Sequence, residues 1–117
     1  MTAVGWLLRD GQVLASLELA QTRAARRRGL LGRDGIEGAL LLRPARSIHT
    51  IGMRFPIDVA WCDEDLVVVR VATVPRHRLT APVRGARSVI EAEAGSFARW
   101  GLAPGDKLEA RDQPLDP

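Results

Sequence analysis

The sequence has no tyrosine, one lysine, one cysteine and two histidines among its 117 residues. A single cysteine, Cys62, excludes an intrachain disulfide and is typical of proteins kept in a reducing cytosol. No apolar run approaches the ~18 residues of a transmembrane helix. Residues 1–8 lack the basic start of a signal peptide. We therefore expect a cytoplasmic protein without a membrane span.

Several motifs of catalysis and cofactor binding are also absent. The chain contains no Gly-x-Ser-x-Gly nucleophile motif, no Walker loop and no dinucleotide-binding fingerprint. His49 and His77 are the only histidines, and His49, Asp58 and Cys62 do not have the spacing of metal ligands, so we expect neither a metal nor a cofactor. Cys62 precedes an acidic turn at residues 63–65, and nearby negative charge makes a thiol a poor nucleophile.

Arginine dominates the basic residues. Sixteen of the seventeen are arginine and only Lys107 is lysine, so the pI is about 10.4 although the formal net charge is +3. Arginines gather at residues 26–28 and in a basic loop at 75–87. One interpretation is contact with the phosphates of a nucleic acid. The other is compositional bias, since arginine replaces lysine throughout the chain. The arginines at 26–28 also cannot all face one partner, because successive helical residues point ~100° apart. Aromatic residues make up only 4% of the chain and none is interleaved with the arginines, so platforms for base stacking are missing.

The hydrophobic pattern predicts one mainly β domain spanning residues 1–117. Hydrophobic residues make up 46% and charged residues 26% of the chain, a globular balance. About seven short strands with one or two short helices favour a β-sandwich or a partly closed barrel. The predicted elements are a hairpin at 4–18 around Asp10-Gly11, a helix at 23–31, strands at 40–42, 47–51, 53–61, 66–74, 88–92 and 107–111, a helical turn capped by Ser96, and a frayed tail at 113–117. The segment 66–74 is apolar on both faces apart from Arg70, which predicts a central strand.

Asp58 is a charged residue within an apolar strand. If residues 63–65 form a three-residue turn, Cys62 faces Leu66 and Asp58 faces Arg70. Directly opposed residues have Cβ atoms ~5 Å apart, so this register predicts an ion pair between Asp58 and Arg70. The alternative interpretation is a binding or acidic carboxylate at the mouth of a barrel.

Four segments together resemble the domain of unknown function 192 family. They are Arg28-Gly29-Leu30-Leu31-Gly32-Arg33, Gly52-Met53-Arg54-Phe55-Pro56-Ile57-Asp58-Val59, Val89-Ile90-Glu91-Ala92 with Ala94-Gly95, and Gly101-Leu102-Ala103-Pro104-Gly105-Asp106. The resemblance covers about residues 21–111. It implies a small, mostly β domain and brings no established activity, substrate or cofactor. One departure is the stretch His49-Thr50-Ile51-Gly52-Met53, where many relatives have a Trp-Met-Lys-Asn-Thr-like run.

These observations leave three classes of function open. We expect a non-enzymatic binding module for a small polar or anionic ligand or for a protein partner. The alternatives are nucleic-acid binding through the arginine-rich helix and loop, and a hydrolase using Asp58 and Glu91 if they share a cleft. The candidate ligand-binding residues are His49, Arg54, Asp58, Glu91, Arg76 and Arg78. The sequence does not determine the oligomeric state.

Overall fold

The computed structural model describes residues 3–111, the first two of them by their backbone only. In chain order the elements are β1 (Ala3–Arg9), β2 (Gln12–Ala20), α1 (Arg23–Arg28), β3 (Ala39–Leu42), β4 (Ile57–Cys62), β5 (Val68–Val74), β6 (Ser88–Glu93), α2 (Ser96–Trp100) and β7 (Leu108–Arg111). The strands form one sheet in the order β5-β4-β6-β3-β2-β1-β7. Neighbouring strands are antiparallel except for β2 and β3, which are parallel. The expected mainly β fold is confirmed.

The sheet curls until its two edge strands touch at one end. Val67 and Lys107 form an isolated bridge there. The N–H of Val68 donates to the carbonyl of Asp106 at 2.8 Å, and the N–H of Leu108 donates to the carbonyl of Leu66 at 3.0 Å. Because these contacts involve only the starts of β5 and β7, the sheet is a partly closed barrel and not a sandwich of two sheets.

The central strands β3, β6 and β4 bury both faces of the sheet. Inside the curl lies one apolar cluster, which includes Leu41, Ile90 and Phe97 of α2. Outside it lies a second cluster, which includes Leu40, Val59 and Val89 and is covered by the chain after α1 and by the loops 43–56 and 75–87. Successive residues of a strand therefore face different cores, as the alternation of a pleated strand requires.

Strand β5 lies at the edge of the sheet, so the prediction of a central strand at 66–74 is wrong. Val69, Arg70 and Thr73 are exposed, while Val68 and Val74 are buried. The strand is apolar on both faces because each face packs against a different cluster, with Val68 and Val71 on the inner one and Ala72 and Val74 on the outer one. The register shift between β4 and β5 near Cys62 places Val68 and Val74 on different faces although they are six residues apart. The segment 47–51 is not a strand either, and its one bridge joins His49 to Leu79.

The predicted N-terminal hairpin at 4–18 is present as β1 and β2, paired from Ala3 with Leu19 to Arg9 with Gln12. Asp10 and Gly11 have φ angles of 53° and 77°, which is the left-handed pair that a type I′ turn needs. The predicted frayed tail at 113–117 lies outside the described residues. No helix in residues 3–111 has the length and apolarity required to cross a membrane.

Helix α1 is shorter than the pattern predicts because the chain turns at Gly29. The side chain of Thr22 accepts a hydrogen bond from the N–H of Ala25 at 3.0 Å and caps the start of the helix. Gly29 ends it with φ 48° and ψ −125°, a conformation that side-chain-bearing residues avoid. This turn leads the chain back over the outer face of β6, where a Cβ built on Gly29 would lie 3.9 Å from Oε1 of Glu91.

Candidate functional site

Glu91 places a buried carboxyl group on the outer face of the sheet. It lies in the middle of β6, between Val59 of β4 and Leu40 of β3, and is 3% exposed. No ion pair or side-chain hydrogen bond satisfies its carboxyl group in the described part of the chain. Burial disfavours the charged form and raises the pKa of Glu91 from 4.5 to about 7. This carboxyl group therefore titrates near neutral pH.

A cavity of about 410 Å³ lies beside Glu91, a size within the usual range for small-molecule sites. Its walls come from α1 and the turn after it, from the chain between β3 and His49, and from Met53. The buried side chains among its lining are apolar (Leu30, Leu42, Ile48 and Met53) except for Glu91. The cavity therefore has an apolar inner part with a single carboxyl group.

The rim of the cavity is strongly basic. Its arginines are Arg23, Arg26, Arg27, Arg28 and Arg46. Nη1 of Arg26 donates to the carbonyl of Arg43 at 3.3 Å, and Nε of Arg46 donates to the carbonyl of Ala86 at 3.2 Å, so backbone acceptors hold both side chains. The α1 arginines line the same cavity although successive helical residues point ~100° apart. This is possible because the cavity extends around the end of a helix of only six residues.

The structure brings only two of the six candidate binding residues to this cavity. Glu91 is buried in it and His49 lies exposed at its edge. Arg54 is exposed and pairs with Asp34 at 2.9 Å, and Arg76 and Arg78 are exposed in the loop 75–87, away from the cavity. The sixth residue, Asp58, belongs to the other face of the sheet, and the roles of all six in binding stay predictions.

The predicted ion pair between Asp58 and Arg70 is wrong because the turn between β4 and β5 is longer than three residues. Oδ1 of Asp63 accepts hydrogen bonds from the N–H groups of Asp65 and Val67, both at 2.9 Å. With an irregularity at Trp61, this turn pairs Asp58 with Thr73 and places Arg70 opposite Trp61. The guanidinium of Arg70 lies 5.8 Å from the centroid of the Trp61 ring, a cation–π contact.

Asp58 instead holds the start of α2. Its Oδ1 accepts from the hydroxyl of Thr73 at 2.7 Å, and its Oδ2 accepts from the N–H groups of Gly95 and Phe97 at 2.9 and 3.0 Å. The carboxylate therefore fixes a short helix whose preceding residue, Gly95, provides no side-chain cap. This role is structural.

Asp58 and Glu91 lie on opposite faces of the sheet. Val59 is the register partner of Glu91 and packs in the outer cluster. Asp58 is its neighbour in β4 and its own register partner, Ala92, packs in the inner cluster. The two carboxyl groups therefore share no cleft, and the geometry gives no support to a hydrolase that uses them as a pair.

Cys62 is buried at the end of β4. Burial raises the pKa of its thiol to about 12, and the neighbouring Asp63 adds to the rise, so the reactive thiolate is scarce at neutral pH. Across residues 3–111, no three His, Cys, Asp or Glu side chains come together in a group that could hold a metal ion.

Thr50 is a structural residue that the sequence analysis does not identify. It is 0% exposed. Its hydroxyl donates to the carbonyl of Pro75 at 2.6 Å and accepts from the N–H of Arg78 at 2.9 Å, while its own N–H donates to the carbonyl of Arg78 at 2.8 Å. Thr50 thus ties the wall of the cavity that ends at His49 to the loop 75–87. A lone threonine between His49 and Ile51 carries no sequence signal of this role.

Replacing Thr50 by valine, which keeps the shape and removes the hydroxyl, should destabilise the protein by about 1–3 kcal/mol because two hydrogen bonds are lost. Urea denaturation measures this change, and hydrogen exchange should become faster at residues 75–80. Thr80→Val is the matched control for position: the Thr80 hydroxyl joins the same two segments through Ile48 but is only half-buried, so its loss should cost less. Equal or smaller loss for Thr50→Val would contradict the role of Thr50.

The curled sheet, with a basic cavity on its helix-covered outer face, defines a small mainly β domain with a ligand-sized site. The chain belongs to the DUF192 family ("Uncharacterized ACR"), whose model matches residues 6–110. This confirms the resemblance seen in the four motifs. Three of those motifs contribute residues to the cavity, among them Arg28, Met53 and Glu91.

Two solved structures share the fold. One is a protein of unknown function from Novosphingobium aromaticivorans, with a TM-score of 0.76 and 24% identity over 92% of this chain and 84% of that one. The other is a Sinorhizobium meliloti protein described as a "putative transcription regulator", with a TM-score of 0.76 and 22% identity over 94% of each chain. No protein with a curated description matches the chain.

Proposed function

We propose that this domain binds a small anionic ligand in the cavity between α1 and β6. The observation that carries the proposal is the convergence of five arginines on one ligand-sized cavity. Guanidinium groups suit phosphate and carboxylate ligands because their N–H donors match the oxygen pairs of these anions. Backbone carbonyls already hold Arg26 and Arg46, which lowers the entropy lost when the ligand binds.

Arg27 and Arg28 are the arginines to test. Both are exposed side chains on the cavity, and neither takes part in the ion pairs of the described residues. The double variant Arg27→Gln/Arg28→Gln should weaken the binding of small phosphates and carboxylates about tenfold or more, since a hydrogen bond to a charged group contributes about 1.5–3 kcal/mol. Isothermal titration calorimetry with inorganic phosphate, propyl phosphate, pentanoate and citrate measures the effect.

The matched control is Arg84→Gln/Arg87→Gln, which removes the same charge from exposed positions outside the cavity. It should change the affinity less than twofold. Absence of binding by every anion, or an equal loss of affinity in both double variants, would count against the cavity as the anion site.

A second candidate function is nucleic-acid binding through the loop 75–87. Its arginines are all exposed, namely Arg76, Arg78, Arg84 and Arg87. The description of the Sinorhizobium meliloti protein as a regulator is compatible with this function. Affinity for mixed DNA or RNA should fall steeply with salt, and Arg84→Gln/Arg87→Gln should weaken it more than Arg27→Gln/Arg28→Gln. The two double variants therefore separate the two candidate functions. Anion binding in the cavity predicts the larger loss for Arg27→Gln/Arg28→Gln, and nucleic-acid binding predicts the larger loss for Arg84→Gln/Arg87→Gln.

A further inference from the structure

We propose that the ligand of this cavity is a zwitterion, whose anionic group meets the arginines and whose other end carries a protonated amine that binds Glu91. This inference rests on the proposed function, because it concerns the inner end of the same cavity. It names the class of ligand, namely small amino-substituted phosphates and carboxylates.

The first support is that Glu91 is buried without a partner. Its carboxyl group is nine-tenths or more buried, borders the cavity and accepts no hydrogen bond within residues 3–111. Among the described residues, the fully enclosed side-chain atoms without a partner are Nε1 of Trp61 and Oγ of Ser88, so the Glu91 oxygens remain open to the cavity that they border. A ligand that donates to this carboxyl group supplies the hydrogen bonds that the protein does not, so the cavity favours a donor at its inner end.

The second support is the arrangement of charge. No arginine lies within 4.0 Å ion-pair distance of Glu91 in the described part of the chain, so the carboxyl group is not the counter-ion of the basic rim. A second anionic end would be repelled by the ionised carboxylate, and an apolar end would cover it without satisfying it. An ammonium group has three donors and the opposite charge. The charges of the ligand are then complementary to those of the cavity, with its anionic group at the basic rim and its amine at the inner carboxylate.

The third support is that nothing else at the inner end competes for an amine. Glu91 is flanked in the sheet by Leu40 and Val59, and the chain above it is Gly29, whose missing side chain leaves the carboxyl group uncovered. The charged and titratable groups on the cavity are the five arginines and His49. The arginines are cations and repel a protonated amine. His49 lies exposed at the edge of the cavity and not at its inner end, so among the described residues Glu91 is the acceptor for the amine there.

Proton linkage gives a signature of this arrangement. Glu91 must be ionised to bind the amine, and burial raises its pKa to about 7 in the free protein. Affinity for an aminated ligand should therefore fall about tenfold between pH 8 and pH 6. The plain anion lacks the amine, so the difference between the two kinds of probe isolates the interaction with Glu91.

Matched pairs of probes test the inference by calorimetry. Phosphoethanolamine is compared with propyl phosphate, and 4-aminobutyrate with pentanoate, each pair having the same shape with and without the amine. The series is extended to longer spacers to match the depth of the cavity. We expect the wild type to prefer the aminated member by about tenfold or more, and Glu91→Gln to lose this preference.

Glu93→Gln is the matched control, because Glu93 has the same charge in the same strand but is exposed. This variant should keep the preference for the amine. Equal affinity for both members of every pair, with binding still dependent on Arg27 and Arg28, would overturn the zwitterion and leave the proposed function intact. A preference that persists in Glu91→Gln would overturn the role of Glu91, and failure of every probe to bind would overturn both proposals.

Discussion

Replacing Asp58 by alanine should lower the free energy of unfolding by about 3–5 kcal/mol. The substitution leaves the N–H groups of Gly95 and Phe97 and the hydroxyl of Thr73 without their acceptor. Each unsatisfied group that remains buried costs about 1–3 kcal/mol. The carboxylate is only 4% exposed, so water does not readily replace it. Urea denaturation followed by circular dichroism measures the loss.

Asp58→Asn is the matched variant for this prediction. Its amide oxygen can accept from the N–H groups of Gly95 and Phe97, and its amide nitrogen can donate to the oxygen of Thr73, since a hydroxyl both donates and accepts. We expect it to cost at least about 1 kcal/mol less than Asp58→Ala, because only the charge of the acceptor is lost. Equal destabilisation by the two variants would show that the charge, and not the geometry of the acceptors, holds α2.

Replacing Glu91 by glutamine should have the opposite sign and should depend on pH. Burial raises the pKa of Glu91 from 4.5 to about 7 in the folded protein. Between these two values the folded state holds a proton that the unfolded state has released, so the stability of the wild type falls as the pH rises. Above pH 7 both states are ionised and the loss is complete, at about 3 kcal/mol. Glutamine does not titrate and avoids this loss.

Stability measured from pH 4 to pH 8.5 checks this prediction. The difference between Glu91→Gln and the wild type should grow in favour of the variant between pH 4.5 and pH 7 and then stay constant. The glutamine amide adds a cost of burial that does not vary with pH. Only the change of the stability difference with pH is therefore compared with the prediction. Glu93→Gln, on the same strand but exposed, should show no such change. A flat difference for Glu91→Gln would mean that its carboxyl group is not held in an apolar environment.

The contrast between the two carboxyl groups separates structure from function in this domain. Asp58 and Glu91 are both buried residues of the central strands. Asp58 accepts hydrogen bonds from three protein donors, so its carboxylate stabilises the fold. Glu91 has no such donor among residues 3–111 and borders a cavity. A buried group that destabilises the fold and faces a cavity is a candidate for a functional role.

Local patterns in the sequence were sufficient for the class of fold and for several of its elements. Asp10-Gly11 predicts the turn of the first hairpin because its φ angles depend on two adjacent residues. Every second residue from 53 to 61 is large and apolar, which predicts one buried face. These residues do pack in one cluster, namely Met53, Phe55, Ile57, Val59 and Trp61. That alternation holds even where residues 53–56 are not a strand, because the buried positions are set by polarity.

The sequence alone determined a small, mainly β domain of this family, because polarity patterns and turn residues act over a few neighbouring positions. Only the tertiary structure decided the site. The partner of Asp58 depends on the length of a turn held by Asp63, and a different length changes every pairing that follows. The cavity depends on the turn at Gly29, which ends α1 beside Glu91, so that the α1 arginines and Glu91 line the same cavity. These residues are distant in the chain, and their contact follows from the packing of the whole sheet.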